Sequence, residues 1–355
     1  MKVLPIVLAV TLLLSGCDRL PYPREMGDMA LLRTMGVDRE EDALLVTVST
    51  GPQASGLKGE QKPALTLSAR RPSLSSAAVA LQGLSNGYVF FGYVDQLLLG
   101  EELTRQGVTE VLDYFARDVE LGLGAQMWVV RGDTAQTAVS SGGDQGVESR
   151  LASLQTEGET GVTAVSRTAG DVYSDLLELG ASYAPALVCT GQDKTDLMDG
   201  GYAILKGDTL VGFLEEEQAR GLELLEGKPS ADVLEVAVPN ERAVARITGA
   251  VTLCRFRSGG EGLSITCRVS AQLAEYSRLF TQEEMEQIRE QIRAREASRI
   301  QGALTQLRSW EADCVGLGPW AALFSPQQWS GLKEDWPRNF ARQEPELTVQ
   351  VNLRR

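Results

Sequence analysis

The 355-residue chain is 43% hydrophobic and 23% charged, enough apolar material for two or three cored domains. Its 34 Lys and Arg against 48 Asp and Glu leave a formal charge of −14, which argues against a nucleic-acid binder built on a basic surface. It contains no histidine, so Ser-His-Asp and Cys-His pairs, an HExxH zinc helix and a histidine pH switch are all excluded; carboxylate, lysine and cysteine chemistry stays open.

In chain order the first element is an export signal. Lys2 precedes an apolar run over 3–14 that is too short to span a bilayer core, which takes roughly 20 helical residues. The run ends in Leu14-Ser15-Gly16-Cys17, which resembles the lipobox of bacterial lipoproteins. Ser15 and Gly16 are small enough for a peptidase subsite, and Cys17 offers a thiol at the membrane surface. On this reading 1–16 is a lipoprotein signal peptide and Cys17 carries a diacylglyceryl group, whose two chains anchor stably. An ordinary secretory signal with a chance cysteine is the weaker reading.

Strands are expected over 29–36 and 43–49, joined by the charged turn 38–42, with a third over 64–69. A helix over 73–84 opens on a serine cap. A strand over 94–99, helices over 101–105 and 108–116, and a strand over 126–130 complete an N-terminal α/β block, 17–140. Between 141 and 195 the composition shifts to Ser, Gly and Thr, and the segment reads as a linker with helices over 145–154 and 171–179, packing on the first block. The segment 196–230 reads as a small hairpin-helix domain: strands 202–205 and 209–213 bracket Lys206-Gly207-Asp208, and a helix opens on Glu215-Glu216-Glu217 and stops at Gly227. The triple glutamate suggests a cation site, but acidic first turns are routine and these side chains point to different sides.

The last block, 231–355, is a C-terminal α/β domain. Strands over 244–256 and 263–273 flank a glycine-rich turn, and a capping box at Thr281 and Glu284 starts a long helix reaching Trp310. The charged stretch 290–299 of that helix reads as a solvated face, and 347–353 as a final strand. The whole is therefore an α/β (α+β) chain of three consecutive mixed domains, each a sheet flanked by helices.

Of the five cysteines, Cys17 is the anchor, and no CxxC or His/Cys cluster marks a metal site. A hairpin symmetric about Gly260 and Glu261 sets Cys254 opposite Cys267, where a cross-strand disulfide and two buried free thiols are equally open. Cys189 and Cys314 have no evident partner. No carboxylate pair stands out as catalytic, and no P-loop, dinucleotide fingerprint or calcium loop is present. The tryptophans at 320, 329 and 336 line a cleft or pack a core.

With the segments in place, their order resembles the Ger(x)C family, the C-subunit lipoproteins of spore germination receptors. The resemblance rests on Arg24-Glu25-Met26-Gly27-Asp28 leading to Met35-Gly36-Val37-Asp38, and on Phe90-Phe91-Gly92-Tyr93 followed by 97–103 and 115–118. The hairpin 201–205 with 210–214 and its Glu-rich helix is the most specific part; Asp313 to Gly318, Trp329, Trp336 and 349–351 resemble the family's end. The family usually has a histidine where Tyr93 stands, so any role there uses a ring that stays neutral near pH 7. The resemblance implies a non-enzyme without cofactor, lipid-anchored on the outer face of the inner spore membrane. It implies as partners a large membrane A subunit and a transporter-like B subunit that respond to a nutrient germinant. The long helix and the N-terminal block are the expected contact surfaces. A solute-binding lipoprotein or a carboxylate-based cell-wall enzyme is the alternative.

Overall fold

A computed structural model describes residues 29–55, 60–155, 165–229, 232–239, 241–257 and 262–355. Cys17 and the signal segment lie outside the described residues. The first half gives β1 (Met29–Glu40), β2 (Ala43–Thr50), β3 (Gln53–Ser55), β4 (Glu60–Lys62), β5 (Thr66–Arg71), α1 (Leu74–Leu84), β6 (Tyr88–Phe90), β7 (Gln96–Gly100), α2 (Glu101–Gln106), α3 (Thr109–Arg117) and β8 (Gln126–Arg131). There follow α4 (Ala135–Ser140), α5 (Glu148–Gln155), α6 (Ala169–Glu178), β9 (Ala181–Thr190), β10 (Asp196–Lys206), β11 (Thr209–Leu214) and α7 (Glu216–Glu226). The last part holds β12 (Asp232–Val238), β13 (Glu241–Phe256), β14 (Leu263–Glu275), α8 (Gln282–Ser309), α9 (Leu317–Ala322), α10 (Pro326–Ser330), α11 (Trp336–Arg342) and β15 (Glu346–Arg354).

Unbroken apolar runs make the larger sheet. In β7 every residue is buried, because neighbouring side chains feed two different cores. Leu97 and Leu99 join Met127 and Val129 under α1, α2, α3 and α6. Leu98 joins Trp128 and Val130 under α4, α5 and α7. The strands follow the order β11-β10-β9-β8-β7-β1-β2-β5, with β6 also paired to β1. β1, β7, β8 and β9 run parallel, so each begins at the same end of the sheet.

The smaller sheet, β12-β13-β14-β15, is built from alternating residues instead. In β12, Leu234, Val236 and Val238 are buried while Val233 and Glu235 face solvent. α8 lies on the inner face. Its capping box forms as expected: Glu284 N–H donates to Thr281 Oγ1 (3.2 Å) and Thr281 N–H to Glu284 Oε2 (2.9 Å). Its 28 residues span about 42 Å. On the outer face Arg246, Val251 and Arg268 are exposed.

Three expectations change. The hairpin read as opening a separate domain over 196–230 is the edge of the larger sheet, since β10 pairs with β9 along most of its length. A lone hairpin cannot bury two faces. Here Tyr202 and Ile204 enter one core, and Ala203 and Leu205 the other. The segment read as linker contributes β9, an internal strand of the same sheet. The β13–β14 register is also displaced: Cys254 stands opposite Ile265 and Thr252 opposite Cys267. Arg257 N–H donates to Gly262 O (3.0 Å), and this pairing centres the hairpin between 259 and 260, one residue earlier than symmetry about 260 and 261 requires. Cys254 and Cys267 are therefore diagonal neighbours on the buried face, and both are free thiols.

Candidate functional site

The inward stripe of α8 begins as sequence spacing dictates, with Met285, Ile288 and Ile292 buried. It then places Glu296 and Arg299 where apolar residues belong, before Ile300, Ala303, Leu304 and Leu307 resume. Glu296 is 1% exposed and Arg299 5%. The stretch read as a solvated face thus holds a buried ion pair. Its signal was present in the sequence: 292, 296, 299 and 303 step by four, three and four along one face.

Arg299 joins three elements. Its Nε donates to Glu217 Oε2 of α7 (2.5 Å), its Nη1 to Glu296 Oε1 (3.0 Å), and Nη1 also pairs with Asp232 at the start of β12. Arg295 reaches Glu217 Oε1 as well (3.0 Å). The two arginines hold the Glu217 carboxyl at about 2, with the Arg299 hydrogen bond the larger cause. Burial opposes the Arg299 charge, yet the surrounding carboxylates outweigh it and raise its pKa further. Burial pushes the Glu296 carboxyl up, against the pull of Arg299.

Close helix approach makes this junction. A Cβ on Gly221 of α7 would lie 2.1 Å from the Arg299 carbonyl oxygen, so only glycine lets α7 and α8 touch there. Alongside, Tyr202 of β10 donates its hydroxyl to Glu223 Oε1 (2.8 Å), which also accepts from Arg220 (3.2 Å). The gap between these groups, lined by Arg220, Glu223, Asp232 and Glu296, has a volume of about 10 Å³, room for roughly one water. Larger sheet, α7, α8 and smaller sheet are thereby wired together through charge-assisted bonds.

The triple glutamate does not converge. Glu215 pairs with Arg131 (2.7 Å) and Glu217 with Arg295 and Arg299. Among the described residues no three acidic or cysteine side chains gather as a metal-binding group. Burial pushes the Cys254 thiol up to about 12 and Cys189 to about 11, and raises Cys267 and Cys314 too. Thiols in that state are poor nucleophiles.

The tryptophans divide between core and surface. Trp336 is buried, edge-on to Trp329 (centroids 5.1 Å) and Phe256 (6.2 Å). Its Nε1 donates to Asp313 Oδ2 (2.8 Å), which also accepts from Gly318 N–H (2.9 Å), while Leu317 N–H donates to Oδ1 (2.8 Å). Burial raises the Asp313 carboxyl against those bonds. Trp320, by contrast, is exposed with Leu323 and Phe324, and Arg255 lies 4.5 Å above the Phe324 ring. Aromatic residues and arginine at an exposed apolar patch are the composition of protein contact sites.

Residues 23–188 match the family model for the spore germination protein N-terminal domain, and 200–355 match the one described as spore germination B3/GerAC like, C-terminal. The chain belongs to the spore germination GerAC-like family. In Bacillus subtilis (strain 168), YfkR, named for spore germination, is 25% identical over 76% of this chain and 72% of its own length. Spore germination protein KC of the same organism is 22% identical over 97% of this chain and 93% of its own, and protein B3 is 22% identical over 96% and 94%. The crystal structure of the GerBC protein superposes with a TM-score of 0.59 at 17% identity, covering 90% of this chain and 96% of that one, which shows a shared mixed α/β fold.

Family membership makes spore germination the setting of these surfaces. In this GerAC-like chain Tyr93 is half exposed and packs edge-on against Phe90 (5.7 Å), consistent with a packing role. The Asp313–Trp336 bond joins two of the positions on which the resemblance rests, and its function is to lock the turn before α9 onto the C-terminal core.

Proposed function

We propose that the chain is the membrane-anchored lipoprotein C subunit of a nutrient germinant receptor. It acts without catalysis, together with membrane A and B subunits, to trigger germination. A diacylglyceryl group on Cys17 holds the body on the outer face of the inner spore membrane. The observation that carries this reading is the pair of family matches, which together run through nearly the whole chain rather than a detachable module. The exposed Trp320, Leu323 and Phe324 patch supports a contact role, because apolar area of that kind is stabilised by a partner's surface.

The test is co-purification. Tagged protein from sporulating cells should bring down the A and B subunits, and Leu323→Asp should weaken that recovery while the protein still accumulates. Recovery of neither subunit from wild-type cells overturns the assignment. Cys17→Ala should abolish lipid labelling; labelling that persists removes the anchor.

A further inference from the structure

Three large apolar side chains stand far out in solvent at one end of the larger sheet: Leu84 (57% exposed), Val119 (99%) and Leu177 (71%). Their positions are tied down by hydrogen bonds. Gln82, near the end of α1, donates to Gly87 O (3.1 Å) and accepts from Val89 N–H (2.9 Å), which fixes Leu84 beside β6. Glu120, next to Val119, accepts from the Tyr88 hydroxyl (2.9 Å) and from Phe91 N–H (3.2 Å). Tyr88 in turn pairs with Met29, where β1 begins. α6, which carries Leu177, starts where Ala169 N–H donates to Ala125 O (2.8 Å), just before β8. It ends near Gly180, just before β9, where Gly180 O accepts from Gly207 N–H (2.8 Å). All three side chains therefore flank the end at which the parallel strands begin.

The chain arrives from Cys17 at this same end. From Cys17 to Met29 is 29 − 17 = 12 residue steps, a reach of at most about 40 Å. The 12 residues of β1 then run roughly 36 Å away from it, so the opposite end of the sheet is the remote one. Two carboxylates beside Val119 are engaged within the chain, Asp118 Oδ1 accepting from the N–H groups of Glu120 (2.9 Å) and Leu121 (3.1 Å) and Glu120 as described, while Glu178 beside Leu177 is exposed. A chain of net charge −14 gains no general attraction to anionic lipid, so the exposed apolar side chains are what this end offers a bilayer.

We infer that this end is a lipid-contacting base, at which Leu84, Val119 and Leu177 enter the interface of the bilayer that holds the Cys17 lipid. The inference rests on the anchored reading above and adds an orientation to it. A single tether leaves the body free to roll; a three-point apolar base fixes which surfaces face along the membrane.

The experiment uses full-length lipidated protein in vesicles of phosphatidylethanolamine and phosphatidylglycerol, with and without brominated acyl chains. Tryptophan is introduced by Val119→Trp, or by Val251→Trp on the outer face of the smaller sheet, and native emission is subtracted with the unsubstituted protein. Both positions are exposed, so neither change disturbs a core. Mass spectrometry of the Cys17 peptide reports lipidation separately. Emission from position 119 should fall about twofold or more with brominated lipid while position 251 is unaffected. Lipidated protein with no quenching at 119, or equal quenching at both sites, overturns the base and leaves the anchor standing. An unlipidated Cys17 overturns both. Quenching at 119 that appears only when the A and B subunits are co-reconstituted also overturns it and assigns the patch to protein contact.

Discussion

The two sheets meet water differently. The larger one is covered on both faces, and β7 and most of β9 read as continuous apolar runs. The smaller one is covered by α8 on one face, and its strands alternate down to single residues. In the first, adjacent residues answer to different cores, so an error at any position is felt. In the second, every other position is free to carry charge, as Arg246 and Arg268 do. The ion network around Arg299 draws on α7, α8 and the first residue of β12 and is the point where the two coverings meet.

The largest effect expected is at that meeting point. Arg299→Met leaves Glu296 buried without its cation and should cost about 3–5 kcal/mol in denaturant unfolding. If the two sheets are coupled through it, one cooperative transition should split into two. A single unshifted transition would show that the junction is incidental.

Within the doubly covered sheet, Leu98→Ala should cost about 2–5 kcal/mol, because Leu98 is fully buried among Trp128 and Val130. Its counterpart on the open face, Val251→Lys, should stay within about 0.5 kcal/mol. Equal losses at the two positions would erase the contrast between the sheets.

A smaller effect follows from pH. Glu217 titrates at about 2 in the folded chain against an ordinary 4.5, so the unfolded state binds its proton first. Its contribution is present above about pH 4.5 and is lost as pH falls toward 2. Glu217→Gln should lower stability at neutral pH and flatten the profile across that interval. A profile parallel to wild type would show that Glu217 gains nothing from its arginines.

Legibility tracked the same contrast. Strands β1, β7 and β8 were placed from their apolar runs, and α8 from its capping box and stripe. The triple glutamate was readable as non-convergent, since successive residues on a helix leave in different directions. The membership of β9, β10 and β11 in the larger sheet was not readable, because a hairpin pattern is the same whether it stands alone or pairs with a distant strand. The thiols at 254 and 267 followed the register: a shift of the hairpin's centre by one residue decided that they do not face each other. Glu296 and Arg299 were readable as a break in the stripe, but their partners Glu217 and Asp232 come from elements more than sixty residues away.

By itself the sequence determined the exclusions set by missing histidine and acidity, the mixed α/β class and the periods of strands and helices. All of these depend on residue type and short-range spacing. Only the tertiary structure decided the number of sheets, the cysteine register, the burial of Arg299 and the gathering of Leu84, Val119 and Leu177 at one end. Those outcomes depend on which distant surfaces meet, and that is set by strand order and helix crossing, which local pattern does not encode.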